Sequence, residues 1–203
     1  MDTKGYLVVD IETTGFIKFD ANGTLIPDFL EFGYLVLDDS GRITDSGAIY
    51  FYEDWFDIEN EAQNFHKLTR EFLKENRVDT QDGICAMLTL CAGRILIGKN
   101  IQSFDINFLR RWCQKYGIVD VLVDTPIYDV QTAYAPIYRK KAGLEGTSKR
   151  GSLEDYIKVN NDYQIVEDIY TDLPKKRVTQ AHGALYDCVM TYVAFLYCMT
   201  EAD

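Results

Sequence analysis

The chain has 203 residues, of which 47% are hydrophobic and 26% charged, and its formal net charge is −11. This composition excludes a disordered or fibrous chain, and the acidic balance argues against a protein that coats long nucleic acid through bulk charge. No apolar run is long enough to cross a membrane and the first residues lack a signal-peptide pattern, so we expect a cytoplasmic protein without membrane contact.

The first part of the chain carries strand patterns. Apolar runs predict β-strands over residues 6–10, 29–37 and 48–52. An Asn-Gly pair at 22–23 and an Asp-Asp-Ser-Gly run at 38–41 predict the turns between them. Successive strands joined by turns favour an antiparallel meander.

Beyond about residue 60 the hydrophobic period becomes helical, with short strands in between. The pattern predicts strands over 94–98 and 126–130, N-caps at Thr69, Asp82 and Ser152, and helices over 61–65, 69–75, 82–91, 105–116, 152–159 and 183–199. We expect a single α/β domain over residues 1–203 with a mixed sheet, since no repeat or linker divides the chain. Its five cysteines, without any C-x-x-C spacing, predict reduced thiols.

Acidic residues stand at the ends of three predicted elements. Asp10 and Glu12 close the first strand one residue apart, so their side chains share one face of that strand. Asp105 follows the strand over 94–98, and Asp187 lies in the first turns of the last helix. Sites in open α/β sheets form at strand ends, so we expect these four carboxylates to meet.

Four carboxylates in one place require compensating cations, because neighbouring like charges disfavour ionisation. A set of oxygen ligands favours Mg²⁺ or Mn²⁺ over zinc. Two such ions are the usual device for in-line attack on a phosphodiester. The sequence therefore predicts a site for two Mg²⁺ or Mn²⁺ ions.

His182 stands five residues before Asp187. On one helix the two side chains would diverge by about 140°, so they converge only if His182 lies on the loop before the helix. The adjacent Gly183 fits such a non-helical entry. A loop histidine that titrates near neutral pH suits a general base that takes a proton from attacking water.

These segments, in this order, resemble the three motifs of the DEDDh 3′→5′ exonucleases, such as bacterial proofreading subunits, ribonuclease T and oligoribonuclease. The motifs are D-x-E within VVDIETTG, N-x-x-x-F-D at 100–105 and H-G-A-L-Y-D at 182–187. Smaller similarities are E-F-G at 31–33 and F-H-K-L-T at 65–69. Gly183 stands where the tyrosine branch of the family has its tyrosine, which favours the histidine branch.

The resemblance implies a ribonuclease H-like three-layer fold, with a five-stranded mixed sheet flanked by helices. It also implies hydrolysis of single-stranded nucleic acid from the 3′ end to nucleoside 5′-monophosphates, with DNA favoured and RNA possible. The implied metal ligands are Asp10, Glu12, Asp105 and Asp187, with His182 as general base. The implied substrate-binding residues are Thr13, Thr14, Gly15, Phe16, Asn100 and Phe104, and the ring of Phe16 would stack on the terminal base.

Two basic segments interrupt the acidic chain. Residues 138–152 carry five Arg and Lys, and Lys175, Lys176 and Arg177 precede His182. They are interpreted either as solvated loops or as contacts for backbone phosphate, and an adjacent site favours phosphate contact.

Two departures from the family pattern leave the subfamily open. Three residues separate Asn100 from Phe104, where the proofreading type has two, and residues 17–28 form a longer first hairpin. One alternative is a non-catalytic exonuclease-fold binding module; another is a subunit of a DNA polymerase complex. About 16 residues follow Asp187, which favours a free-standing or transiently associated nuclease. The preferred sugar and the oligomeric state stay open.

Overall fold

The protein folds around a five-stranded mixed sheet with the strand order β3-β2-β1-β4-β5. β1 (Tyr6–Thr13) is central, and β2 (Phe29–Leu37) and β3 (Ile43–Tyr50) follow it as antiparallel neighbours. β4 (Ile95–Gly98) and β5 (Ile127–Asp129) run parallel to β1, so these three strands end at the same edge, here called the carboxyl edge. The computed structural model describes residues 4–16, 18–23, 27–119, 122–174 and 183–200.

Helices cover both faces of the sheet and complete the three layers. One hydrophobic core joins the sheet to α2, α3 and α4, and a second joins it to α5 through α8. The expected α/β fold with a five-stranded mixed sheet is confirmed. The helices are α1 (Asn60–His66), α2 (Arg70–Asn76), α3 (Thr80–Cys91), α4 (Asp105–Lys115), α5 (Val130–Lys141), α6 (Leu153–Asn160), α7 (Tyr163–Asp172) and α8 (Ala184–Thr200).

The side chains of β1 alternate between the two cores. Leu7, Val9 and Ile11 pack in the core of α2–α4, and Val8 packs in the core of α5–α8. Because the alternation has a period of two, Asp10 and Glu12 follow Val8 onto the face that α8 covers.

Two of the three predicted N-caps are found at helix N-termini in the structure. The Thr69 side chain accepts a hydrogen bond from Phe72 N, and Ser152 forms a capping box with Asp155, so both caps are confirmed. The prediction of Asp82 as a cap is wrong: α3 begins two residues earlier, and the Asp79 carboxylate accepts from the first free N–H groups.

Two helices were not predicted. The first is α5, which includes the start of the basic segment 138–152, so that segment is not wholly a loop. The second is α7, between the predicted last two helices. All five cysteines are free thiols, of which only Cys85 is exposed. Within the described ranges, no helix combines the length and apolar character needed to cross a bilayer.

Candidate active site

Three carboxylates converge at the carboxyl edge. Asp10 and Glu12 lie at the end of β1, and Asp187 lies in the first turn of α8, which crosses above them. One carboxylate oxygen from each of the three lies within 4.8 Å of the other two. The register of β1 shifts between Glu12 and Thr13, as is common where a strand redirects side chains beside a site.

Asp105 approaches from the opposite helical layer. It is the first residue of α4, which follows β4, and it is only 3% exposed. Its charge raises the pKa of Asp10, as do the charges of Asp187 and Glu12, so all four carboxylates interact. Asp105 is not one of the three carboxylates whose oxygens lie within 4.8 Å of one another.

The polypeptide between β4 and α4 is fixed by hydrogen bonds. Asn100 adopts a left-handed conformation with φ of 57°, and its N–H donates to Oδ1 of Asp129 at 2.9 Å. The same oxygen of Asp129 accepts from Gln131 N and caps α5. One carboxylate at the end of β5 therefore holds both the loop before Asp105 and the start of α5.

Burial opposes the ionisation of Asp10, Asp105 and Asp187. It is the main cause that raises the pKa of Asp105 to about 7 and of Asp187 to about 7. Negative neighbours add to it: Asp129 for Asp105, and Glu154 and then Glu31 for Asp187. Lys99 acts in the opposite direction on the pKa of both. Burial also raises the pKa of Asp10 well above its usual range.

The donor set fits a hard divalent cation. Oδ1 of Asp187 is buried and accepts no hydrogen bond from the residues that the structure describes. A buried carboxylate oxygen in that situation is costly unless something positive approaches it. Oxygen ligands at this spacing suit Mg²⁺ or Mn²⁺. The chain thus carries a candidate acidic metal site, formed by Asp10, Glu12 and Asp187.

A cavity of about 360 Å³ opens beside the carboxylates. Two exposed aromatic rings stand in its wall: Phe16 is 68% exposed and Phe65 is 59% exposed. Exposed aromatic faces beside a polar centre are suited to stacking on nucleobases. The remaining lining residues are Asp10, Ile11, Glu12, Thr13, Gly15, Glu61, Ala62, His66, Phe104 and Asp187.

The turn after β1 is held tightly. The Thr14 hydroxyl accepts a hydrogen bond from Asp28 N at 2.9 Å, and the Thr13 hydroxyl donates to Gly15 O at 2.7 Å. A Cβ atom on Gly15 would lie 2.5 Å from the carboxyl carbon of Glu59, so a larger residue there would displace the Glu59 side chain. Thr14 therefore fastens the turn to the first hairpin, whereas Thr13 and Gly15 line the cavity.

The other residues predicted from the sequence are placed differently. Phe104 lines the cavity, but Asn100 does not, and the backbone N–H of Asn100 donates to Asp129. Four of the predicted residues lie outside the described residues: His182, Lys175, Lys176 and Arg177. Their roles stay predictions.

Four residues near the site were not assigned a role from the sequence. Glu61, Phe65 and His66 enter the cavity wall from α1, and Glu31 lies next to Glu12 on β2. The similarity at 31–33 and 65–69 marked two of these segments but not the side chains that matter. In the sequence, Glu31 stands out as a carboxylate inside an apolar strand, and Phe65 as a phenylalanine on an otherwise polar short helix.

Comparison with known proteins agrees with this geometry. The family model described as Exonuclease, of the ribonuclease T type, matches residues 7–195. The PolC-type DNA polymerase III of Ureaplasma parvum serovar 3 is 26% identical over 119 residues, which are 58% of this chain and 8% of that protein.

Solved structures show the same fold. Exonuclease I of E. coli in complex with a dA16 oligonucleotide superposes with a TM-score of 0.68 at 15% identity, over 98% of this chain and 43% of that one. Cell-death related nuclease 4 superposes with a TM-score of 0.67 at 11% identity, over 98% of this chain and 66% of that one. The chain thus spans less than two thirds of the length of each of these relatives.

The family match defines the class of protein as an exonuclease. The chain belongs to the DEDDh-type exonuclease family, as its three sequence motifs indicated.

Proposed function

We propose that the protein is a metal-dependent exonuclease that hydrolyses single-stranded nucleic acid from the 3′ end to nucleoside 5′-monophosphates. DNA is the favoured substrate and RNA a possible one. The observation that carries the proposal is the convergence of Asp10, Glu12 and Asp187 within 4.8 Å beside an aromatic-lined cavity. The oligonucleotide bound to the structurally similar Exonuclease I supports single-stranded DNA as substrate.

The residues of the site would bind the metal ions and transfer the proton of the attacking water. Asp10, Glu12 and Asp187, with Asp105 behind them, would hold two Mg²⁺ or Mn²⁺ ions. Bound divalent cations supply Lewis acidity toward the phosphodiester. His182, on the segment before α8, would take the proton of the attacking water.

The cavity wall would hold the terminal nucleotide. The rings of Phe16 and Phe65 offer faces on which bases stack without regard to sequence. The turn of Thr13 and Gly15 brings backbone close to the carboxylates, where the sugar and phosphate of the last nucleotide would lie. Such a site admits one strand end and needs no extended basic surface, which suits a chain of net charge −11.

The test is a ladder assay with 5′-labelled DNA and RNA oligomers, single-stranded and duplex, in Mg²⁺, Mn²⁺ or EDTA. We expect stepwise shortening from the 3′ end, release of 5′-mononucleotides, and loss of activity in EDTA. Asp10→Asn should lower kcat at least ~1000-fold, because removal of a ligand charge disrupts the metal centre.

Asp39→Asn is the matched control, since Asp39 is an exposed turn residue away from the site. Activity that persists in Asp10→Asn, or products that begin at the 5′ end, would contradict the proposal. An oligomer bound but never cleaved by the wild-type protein would favour the non-catalytic binding module.

A DNA polymerase partner is the second candidate role. It is supported by the similarity to a PolC-type polymerase over 119 residues. Size-exclusion chromatography of the protein mixed with a purified replicative polymerase tests it: co-elution is expected for a partner, and separate elution counts against the association.

A further inference from the structure

Glu31 is a carboxylate buried inside the sheet, next to the candidate site. It is 1% exposed and stands directly across from Glu12 in the β1–β2 pairing. Leu35 and Leu37, on the same face of β2, pack in the core that includes α8, so the Glu31 side chain also faces α8. It does not line the cavity beside the metal ligands.

The first turn of α8 rests on this carboxylate. Oε2 of Glu31 accepts a hydrogen bond from Ala184 N at 3.2 Å. The first N–H groups of a helix have no partner within the helix, and a negative charge at that end is favourable. From Ala184 a single turn leads to Asp187, whose N–H donates to Gly183 O at 3.1 Å.

Gly33 fixes the same turn from below. A Cβ atom on Gly33 would lie 2.4 Å from the carbonyl carbon of Ala184 and 2.5 Å from Leu185 N. The helix backbone therefore lies directly on β2, and no other residue fits there. Gly33 is also the pairing partner of Asp10, so strand and helix are joined beside the ligands.

A buried fifth carboxylate is otherwise unfavourable here. Its negative charge contributes to the raised pKa of Asp10 and of Asp187. A neutral side chain would relieve that repulsion. The hydrogen bond from Ala184 N is a favourable contact that opposes this cost.

We propose that Glu31 is a positioning residue: its hydrogen bond to Ala184 N sets the place of α8, and thereby the distance from Asp187 to Asp10 and Glu12. The inference rests on the proposed function, because it assumes that these carboxylates hold the metal ions. In this role the length of the Glu31 side chain and its accepting oxygen matter more than its negative charge.

Two conservative variants separate the effect of side-chain length from the effect of charge. Glu31→Gln keeps an accepting oxygen at the same distance from the backbone but removes the charge. Glu31→Asp keeps the charge, but its carboxylate is about 1.5 Å shorter and cannot reach Ala184 N in the same geometry. A misplacement of about 1 Å at a reacting centre costs up to about 100-fold in rate.

We expect Glu31→Asp to lower kcat by about 30-fold with KM changed less than about 3-fold, and Glu31→Gln to stay within about 5-fold of wild type. A Mn²⁺ titration followed by thermal shift gives a readout that does not need activity. There the half-saturating Mn²⁺ concentration should rise more in Glu31→Asp than in Glu31→Gln.

The matched controls are Glu154→Asp and Glu154→Gln. Glu154 is an exposed carboxylate whose charge also raises the pKa of Asp187, so Glu154→Gln reports the effect of removing a negative charge near Asp187. The reverse order of the two Glu31 variants, or two variants that both match wild type, would overturn the inference. If the wild-type protein proves inactive, the proposed function fails, whereas the order of the Mn²⁺ titrations still decides the role of Glu31.

Discussion

At the scale of the residue, the candidate ligand carboxylates are buried in the folded protein at an electrostatic cost. Burial raises the pKa of Asp105 and of Asp187 to about 7, and that of Asp10 well above its usual range. The metal-free cluster is therefore stabilised by protonation, and a divalent cation would replace the protons. This exchange gives the site a pH dependence that can be measured without substrate.

In EDTA we expect the Tm to fall as pH rises from about 4 to about 7. The folded pKa lies above the unfolded value, so the folded state binds more protons and its stability is lost as pH rises through this window. The Tm of Asp187→Asn should fall less steeply with rising pH than the Tm of the wild type, because one of the titrating groups is gone. Thermal unfolding at several pH values checks this, and equal slopes in the two proteins would contradict it.

The exposed rings at the cavity predict a second effect at this scale. Phe65→Ala should raise KM for single-stranded DNA about 10-fold with little change in kcat, because stacking on a base contributes about 1–3 kcal/mol. Trp55→Ala is the control: this ring is 65% exposed, like Phe65, but does not line the cavity. Steady-state kinetics on both variants decide it, and an equal rise in KM for Trp55→Ala would argue against stacking.

At the scale of the element, α5 divides the basic segment 138–152 between two ends of the molecule. Lys141, at its C-terminus, donates to Asn160 Oδ1 and lies 4.6 Å from the ring centroid of Tyr197. Tyr197 is ten residues along α8 from Asp187, about 15 Å away. Arg150 instead contacts Gln131, in the first turn of α5 at the carboxyl edge.

Arg150→Ala should therefore raise KM about 3-fold and reduce the salt slope of binding by about 1, as for one lost phosphate contact. Lys141→Ala, a change of the same charge in the same segment, should leave both unchanged. Fluorescence anisotropy of labelled oligonucleotides at several salt concentrations measures the slopes. Identical slopes for the two variants would remove Arg150 from the binding surface.

At the scale of the whole molecule, the proposed nucleic acid substrate would have to approach an acidic protein. The net charge of −11 repels a polyanion at long range, so attraction would have to come from local cations and from the proposed metal ions. Lys175, Lys176 and Arg177, which precede His182 in the sequence, are the other predicted group of such cations.

Replacement of Lys175, Lys176 and Arg177 together with alanine should raise KM and flatten the salt dependence of cleavage. Each lost phosphate contact lowers the salt slope, which makes the effect separable from a change in chemistry. Cleavage rates between about 50 and 200 mM salt test this. An unchanged salt slope would show that the segment does not touch the nucleic acid backbone.

Local sequence determined much of this protein. The apolar runs predicted five strands, although β3 begins at Ile43, five residues before its predicted start. Thr69 and Ser152 marked their helices, and the D-x-E spacing placed Asp10 and Glu12 on one face, because a strand alternates with a period of two. These features depend only on neighbours within a few residues. Helix α5 escaped prediction because Pro136 lies inside it, and proline usually ends a helix unless packing compensates.

Only the tertiary structure decided which side chains from distant parts of the sequence lie close together. The meeting of Phe16 with Phe65, the separation of Lys141 from Arg150, and the contact of Glu31 with α8 all join segments far apart in sequence. No local pattern carries that information, because it depends on how helices settle on the sheet. The sequence alone named the candidate ligands, whereas packing of α8 on Gly33 fixed where the last of them stands.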